Sequence, residues 1–265
     1  MAGKGSEALR AVAADLHIHT CLSPCATLDM TPMKIVKEAC AKGLTIIAIT
    51  DHNSAENTSA VMAAARETGL RIIPGIEVTT SEEAHVVALF GDAESALSMQ
   101  ELVYKKLQRG ENNEELFGIQ VVANESDEVE GINKRLLIGA TDLRLEEVVE
   151  EIHDRGGLAV AAHIDRQSFS VVSQLGFIPE GVRFDAIEIS KGMTLNEARN
   201  RFSEYKLVPL ITASDAHGLE EIGAGRTHFR VAYPDIAELG LALKGMSGRK
   251  TIEGTTDLPQ TVNRQ

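Results

Sequence analysis

The sequence predicts a parallel α/β fold, curled into a closed or distorted barrel, on three observations. Short apolar runs recur along the chain and are continuous rather than alternating, as strands covered on both faces require. Amphipathic stretches separate them, giving a repeated strand–helix order. Histidines and acids gather where the runs end, and a barrel of parallel strands presents those ends at one rim.

The strand-like runs are Ala11–Leu16, Thr45–Thr50, Leu70–Ile76, His85–Phe90, Gly157–Ala162, Phe184–Ile189 and Val208–Ala213. Thr31 and Pro32 open the first helix, as N-cap and first-turn residues, and Lys42-Gly43 closes it. Further helical patterns cover about Ala55–Glu67, Glu94–Arg109, Leu143–Arg155, Thr194–Tyr205 and Asp235–Lys244. His85 begins its run instead of ending it. Its strand is therefore expected either to run against its neighbours or to follow Glu77 through a tight turn at Thr80–Glu83. Glu111 to Gly131 interrupts the rhythm with Glu111, Glu114, Glu115, Glu125, Asp127, Glu128 and Glu130 and no Lys or Arg. We expect one barrel domain over 1–265, a small insertion or lid at about 108–141 with a short strand at Gly118–Val122, and a frayed tail at 258–265.

Composition bounds the function. The 265 residues are 43% hydrophobic and 25% charged, an ordinary globular balance that excludes a disordered or fibrous chain. A net charge of -13 argues against broad phosphate-backbone binding, although a short nucleotide or strand end could be held locally by metal ions. No extended nucleic-acid surface and no membrane partner are expected. Three cysteines are too few for a disulfide framework, which suggests a reducing, cytoplasmic setting. No apolar stretch nears the roughly 20 residues of a spanning helix. Cys40 reads as core of the first helix.

Of the eight histidines, His17, His19, His52, His85, His163 and His217 stand at strand edges. Glu77 ends the Leu70–Ile76 run and Asp215 follows Val208–Ala213. In an extended strand residues i and i+2 share a face, so His17 with His19, and Asp215 with His217, can each serve one ion. Imidazole with carboxylate suits zinc, manganese or iron. This set exceeds the three or four protein ligands of a single catalytic ion, so two or three divalent ions are expected, with Glu77 a candidate bridge. Asp15 and Asp51 read as groups orienting the neighbouring imidazoles. His153 and His228 lie outside the pattern and read as structural. A metal-bridging hydroxide near Glu77 and Asp215 would be the nucleophile of a hydrolysis, with Asp215 or His217 protonating the leaving oxygen. Arg166 and Lys191 are candidate phosphate ligands, Arg166 for its planar fork; the alternative for Arg166 is a surface ion pair with Asp165 or Glu188.

At these residues the sequence resembles the PHP family, named for polymerase and histidinol phosphatase. The matching stretches are Asp15-Leu-His-Ile-His-Thr, Ile49-Thr-Asp-His-Asn, Pro74-Gly-Ile-Glu-Val, Ala162-His and Ser214-Asp-Ala-His, in family order. The resemblance implies a distorted (β/α)7 barrel, a trinuclear metal site and hydrolysis of phosphate esters. It implies one ion on His17, His19, Glu77 and Asp215, a second on Glu77, His85 and His163, and a third on His52 and His217. Family members supply a further histidine shortly after the HxH pair; here Cys25 takes that place and is the candidate substitute ligand. The resemblance implies the activity of a small-molecule phosphatase or phosphodiesterase, with a small phosphorylated substrate as partner. The alternatives are a nuclease acting on short RNA or DNA ends and a metal-bound module without catalysis. Amidohydrolases share an HxH start and a late Asp, but the early Thr-Asp-His and the Asp-x-His ending fit them poorly.

Overall fold

The computed structural model describes residues 8–252, so the expected tail at 258–265 lies outside the described residues. The strands are β1 (Arg10–Ile18), β2 (Ile46–Ile49), β3 (Arg71–Thr79), β4 (His85–Leu89), β5 (Val121–Ala123), β6 (Val129–Ile132), β7 (Leu158–Ala161), β8 (Ala186–Ile189), β9 (Leu210–Thr212), β10 (Thr227–Val231) and β11 (Lys250–Ile252). The helices are α1 (Pro32–Ala41), α2 (Thr58–Ala64), α3 (Ala93–Lys106), α4 (Glu114–Phe117), α5 (Leu145–Asp154), α6 (Val171–Leu175), α7 (Leu195–Arg201) and α8 (Ile236–Leu243).

Each of the apolar runs forms a strand, and β1-β2-β3-β4-β7-β8-β9 lie side by side in that order. With β10 and β11 added beyond β1, the sheet has nine strands. It curls until the segment after β9 meets β1: Ile18 bridges Ala216 in parallel, and the His19 amide donates to the Ala216 carbonyl at 3.0 Å. The alternating (β/α)7 expectation needs correction at one place. β3 and β4 form an antiparallel hairpin, Thr79 opposite His85, with no helix between them, and β4 runs against β7 as well. The architecture is thus a curled mixed sheet with helices packed on it. The reversal is the one His85 signalled by starting its run, and it returns that residue to the rim where Glu77 ends β3.

The inner face of the curl is built by alternation. Val12, Ala14 and Leu16, Ile46 and Ala48, Ile73, Val87 and Leu89, Leu158 and Val160, Ala186 and Ile211 form one buried cluster. The intervening residues face the helices: Ile47, Ile49 and Ile72 meet Ile35, Val36 and Ala39 of α1, while Ile76, Val78, Val86 and Ala88 join residues of α3 and α5. At about 25 cal/mol per Å² of apolar surface removed from water, these layers are the main source of stability. Gly75 holds β3 tight between its neighbours, because a Cβ there would lie 2.7 Å from the Ala88 carbonyl oxygen. Cys40, expected in the core, is exposed: α1 buries Ile35, Val36 and Ala39, and Cys40 falls one step round the helix from that stripe.

Between α3 and α5 the chain leaves the sheet as an arm. Leu107 bridges Thr141 and Glu111 bridges Arg135 at its base, and β5 pairs with β6. The arm docks on the loop after β1. The Val121 amide donates to the Cys21 carbonyl, and Gly118, at φ +99, lies where a Cβ would be 2.2 Å from the Pro24 carbonyl oxygen. Asn57 donates to the Val121 carbonyl and receives the Ala123 amide. Among the described residues no helix is long and apolar enough to cross a membrane.

Candidate metal centre

The next residues along the inner face, toward the strand ends, are no longer apolar. By the two-residue period Ala48 leads to His52, Ile73 to Glu77, Ala186 to Glu188 and Ile211 to Asp215, and Val87 leads back to His85 at the start of its reversed strand. β1 needs an extra device. Val12, Ala14 and Leu16 occupy the inner face, so strict alternation would send His17 and His19 outward. The register between β1 and β2 shifts between Asp15 and Ile18, and Ile18 packs with the helix-facing cluster. This irregularity changes the phase and turns both imidazoles inward.

Glu77 is fully buried and ringed by imidazoles. Its Oε1 lies 2.8 Å from His85 Nδ1, 3.3 Å from His163 Nε2 and 3.4 Å from His17 Nε2. Its Oε2 lies 2.8 Å from His52 Nδ1 and 3.4 Å from His19 Nε2. Asp215 Oδ1 stands 3.0 Å from His19 Nε2 and 3.2 Å from His17 Nε2. Three groups of donor atoms fall within 4.8 Å of one another: His17, His19, Glu77 and Asp215; His52, Glu77 and His85; and His19, His52 and His217. The structure therefore brings together the expected histidines and acids from distant parts of the chain. In these groups His19 joins His52 and His217, and His52 joins Glu77 and His85, sharings that the spacing did not suggest.

Partners outside the cluster set the tautomers. The Glu188 carboxylate accepts from His17 Nδ1 at 2.9 Å. Ser23 Oγ donates to Asp51 at 2.7 Å and so accepts from His19 Nδ1 at 2.8 Å. The Asp215 carbonyl accepts from His217 Nδ1 at 2.9 Å. Each proton is held on Nδ1, leaving the Nε2 lone pair for the interior. The Nε2 atoms of His17 and His19 are 3.1 Å apart with no hydrogen between them in those tautomers. His52 Nδ1, His85 Nδ1, His163 Nδ1 and Glu77 Oε2 are buried without a hydrogen-bond partner. His52 Nδ1, His85 Nδ1 and Glu77 Oε2 converge on shared space, which is costly unless a cation occupies it, so the residues fit bound metal ions. Burial alone would raise the Glu77 carboxyl, but His85, His17 and His52 hold it well below the usual range. Burial acts likewise on Asp215, which His17 and His19 hold low. Both acids remain anionic in a buried site.

Cys25 stands beside this cluster. Burial raises its thiol, and hydrogen bonds with His217 and His52 outweigh that effect and bring it to about 6. Arg166, whose side chain is 41% exposed, places a guanidinium nitrogen 2.6 Å from Asp215 Oδ2; its partner is neither Asp165 nor Glu188. Asp165 instead receives the Ser190 amide. Lys191 reaches Glu221 at 2.7 Å, and the other Glu221 oxygen receives the His217 amide, so Lys191 meets the rim through that acid. Asp51 orients His19 through Ser23. Asp15 differs from expectation: its oxygens receive the Ser214 and Gly223 amides and anchor backbone rather than an imidazole. His153 of α5 pairs with Asp185, away from the cluster.

Glu188 is the residue that sequence reasoning missed. It had a signal, since Ile187-Glu-Ile189 places one acid inside a strand covered on both faces. Four strained positions mark the same rim: Asn53 at φ +50, His163 at +27, Phe169 at +59 and Asp215 at +49.

With the geometry in place, comparison with known proteins is informative. The family model described as PHP domain matches residues 15–125. The 5′-3′ exoribonuclease Rnm of Escherichia coli is 28% identical over 206 residues, covering 60% of this chain and 68% of that protein. A 3′,5′-nucleoside bisphosphate phosphatase of Chromobacterium violaceum is 33% identical over 77 residues, 29% of this chain and 26% of that protein. Two further curated relatives are matched over only 28% and 27% of their lengths. Among solved structures, the lesion-specific endonuclease PfuEndoQ of Pyrococcus furiosus superposes with a TM-score of 0.73 at 20% identity, over 91% of this chain and 57% of that one. Another endonuclease Q structure holds a 27-mer duplex substrate with an abasic lesion at its active site. These findings overturn the expectation of a small phosphorylated partner and no extended nucleic-acid surface. The error lay in reading net charge as a guide to substrate, since charge averaged over a whole chain does not describe one cavity.

Proposed function

We propose that this chain, whose residues 15–125 match the PHP domain model, is a metal-dependent nuclease hydrolysing phosphate ester bonds at or near nucleic-acid ends. The observation that carries the hydrolase reading is Glu77, with five imidazoles within 3.4 Å of its two oxygens. The nucleic-acid reading is supported by the 206-residue alignment to an exoribonuclease.

In this reading His17, His19, Glu77 and Asp215 would hold one ion, and Glu77, His85 and His163 would supply ligands to a second. His52 and His217 hold a third, with Cys25 as the thiolate that completes it. Divalent ions there would activate water near neutral pH and neutralise charge on the phosphoryl oxygens. Glu188 and Ser23 keep the His17 and His19 rings in register through their Nδ1 atoms. Arg166 positions a phosphate oxygen with the part of its fork that does not face Asp215. Lys191 offsets the charge of Glu221, the acid that accepts the His217 amide. Asp215 is held anionic, so protonation of the leaving oxygen would fall to His217, whose side chain is the more open of the two at 25% exposure. The arm over 108–141 borders this rim, since the Asn53 side-chain amide donates to the Leu137 and Gly139 carbonyls.

The test is incubation of the purified chain with manganese or zinc and short 5′-phosphorylated RNA, single-stranded DNA, duplex DNA and an N-acyl amino acid. Cleavage of a nucleic acid that EDTA, His17→Ala and Asp215→Ala each abolish is the expected result. Turnover of the N-acyl compound alone would sink the proposal.

A further inference from the structure

The loop from β7 to α6 carries an aromatic residue that holding the cluster does not account for. Phe169 has φ +59, a region that bulky side chains rarely occupy. Its carbonyl accepts the His85 amide at 2.8 Å, and its ring stacks on the His85 imidazole, centroids 4.7 Å apart and planes at 17°. The residue is nevertheless 40% exposed, so the ring has one face on a buried histidine of the cluster and the other toward solvent. Three residues earlier Arg166 meets Asp215. The Ser170 hydroxyl donates to the Arg166 carbonyl at 2.8 Å and receives the Ser173 amide as the cap of α6. One short pinned turn therefore presents a guanidinium and an open aromatic face beside the same cluster. Strained residues persist where their surroundings over-determine them, and they gather at ligand clamps.

We propose that Phe169 is a base-stacking residue: a nucleobase flanking the phosphate at Arg166 lies on the open face of its ring. The inference rests on the nuclease reading above and adds to it a determinant that separates nucleotides from other phosphate esters. Every base offers a π-face, so stacking gives grip without sequence preference.

The experiment uses the full chain loaded with manganese and pairs of 5′-phosphorylated oligonucleotides that carry a base or an abasic tetrahydrofuran residue on either side of the cleaved bond. Phe169→Leu is expected to raise KM for the base-bearing strand about 5- to 150-fold. It should leave kcat and the abasic strand's KM little changed, and Phe169→Tyr should restore the wild-type values. With EDTA present, 2-aminopurine beside the bond should be quenched on binding to wild type and not to Phe169→Leu. Equal losses on both strands would show that the ring acts only through His85 and would overturn the proposal, as would no loss on either. Wild-type protein that cleaves none of these strands would instead remove the nuclease reading, and the stacking role with it.

Discussion

The lower and upper halves of the inner sheet face use the same strands and the same alternation, yet they are held by opposite physics. Below, Val12, Ile46, Ile73, Val87, Val160 and Ile211 are buried hydrocarbon, stabilised by removal from water. Above, His17, His52, Glu77, His85, Glu188 and Asp215 are equally buried but polar, and several of their atoms have no protein partner. The lower layer completes itself. The upper layer has the donor set that divalent cations would complete, and its unpaired buried atoms are the ones such ions would satisfy.

The difference can be broken most severely at the ions themselves. Chelation is expected to reduce hydrolysis to background and to lower the melting temperature. Metal at a thousand times its dissociation constant contributes about 4 kcal/mol to the folded state, which calorimetry with and without EDTA would read. Ile73→Ala in the lower layer should cost roughly 2–5 kcal/mol in denaturant unfolding while the folded fraction keeps its metal content. Glu188→Gln tests the boundary between the layers. It removes the charged acceptor of His17 Nδ1 and should weaken metal affinity or activity about 10- to 100-fold, measured by competition with a chromogenic chelator, at little cost to folding. Tyr104→Phe is expected to have the smallest effect. The Tyr104 hydroxyl links Ser54, Glu56 and Asn133, tying the body to the arm, and its loss should cost about 1 kcal/mol, seen as faster amide exchange near 121–133.

Much of this contrast was legible in the residues. The apolar runs located the strands of the curl, and polar residues at their ends marked the rim, because a continuous apolar run stops where burial by hydrocarbon stops. His85 at the start of its run gave away the reversal of β4. Glu188 was passed over because an acid between two isoleucines reads equally as a surface residue until the opposite face is known to be covered. The Asp15 role was misread for a related reason: its backbone partners Ser214 and Gly223 are about two hundred residues away in the chain.

The sequence by itself determined which residue types would meet, since periodicity and the order of polar strand ends are local properties of the chain. Tertiary structure decided how they meet. The irregularity in β1 that turns His17 and His19 inward, the sharing of Glu77 among five rings, and the seating of Phe169 on His85 all depend on contacts between segments far apart in sequence. Local patterning carries no information on such phases, because a one-residue shift reverses every side chain that follows it.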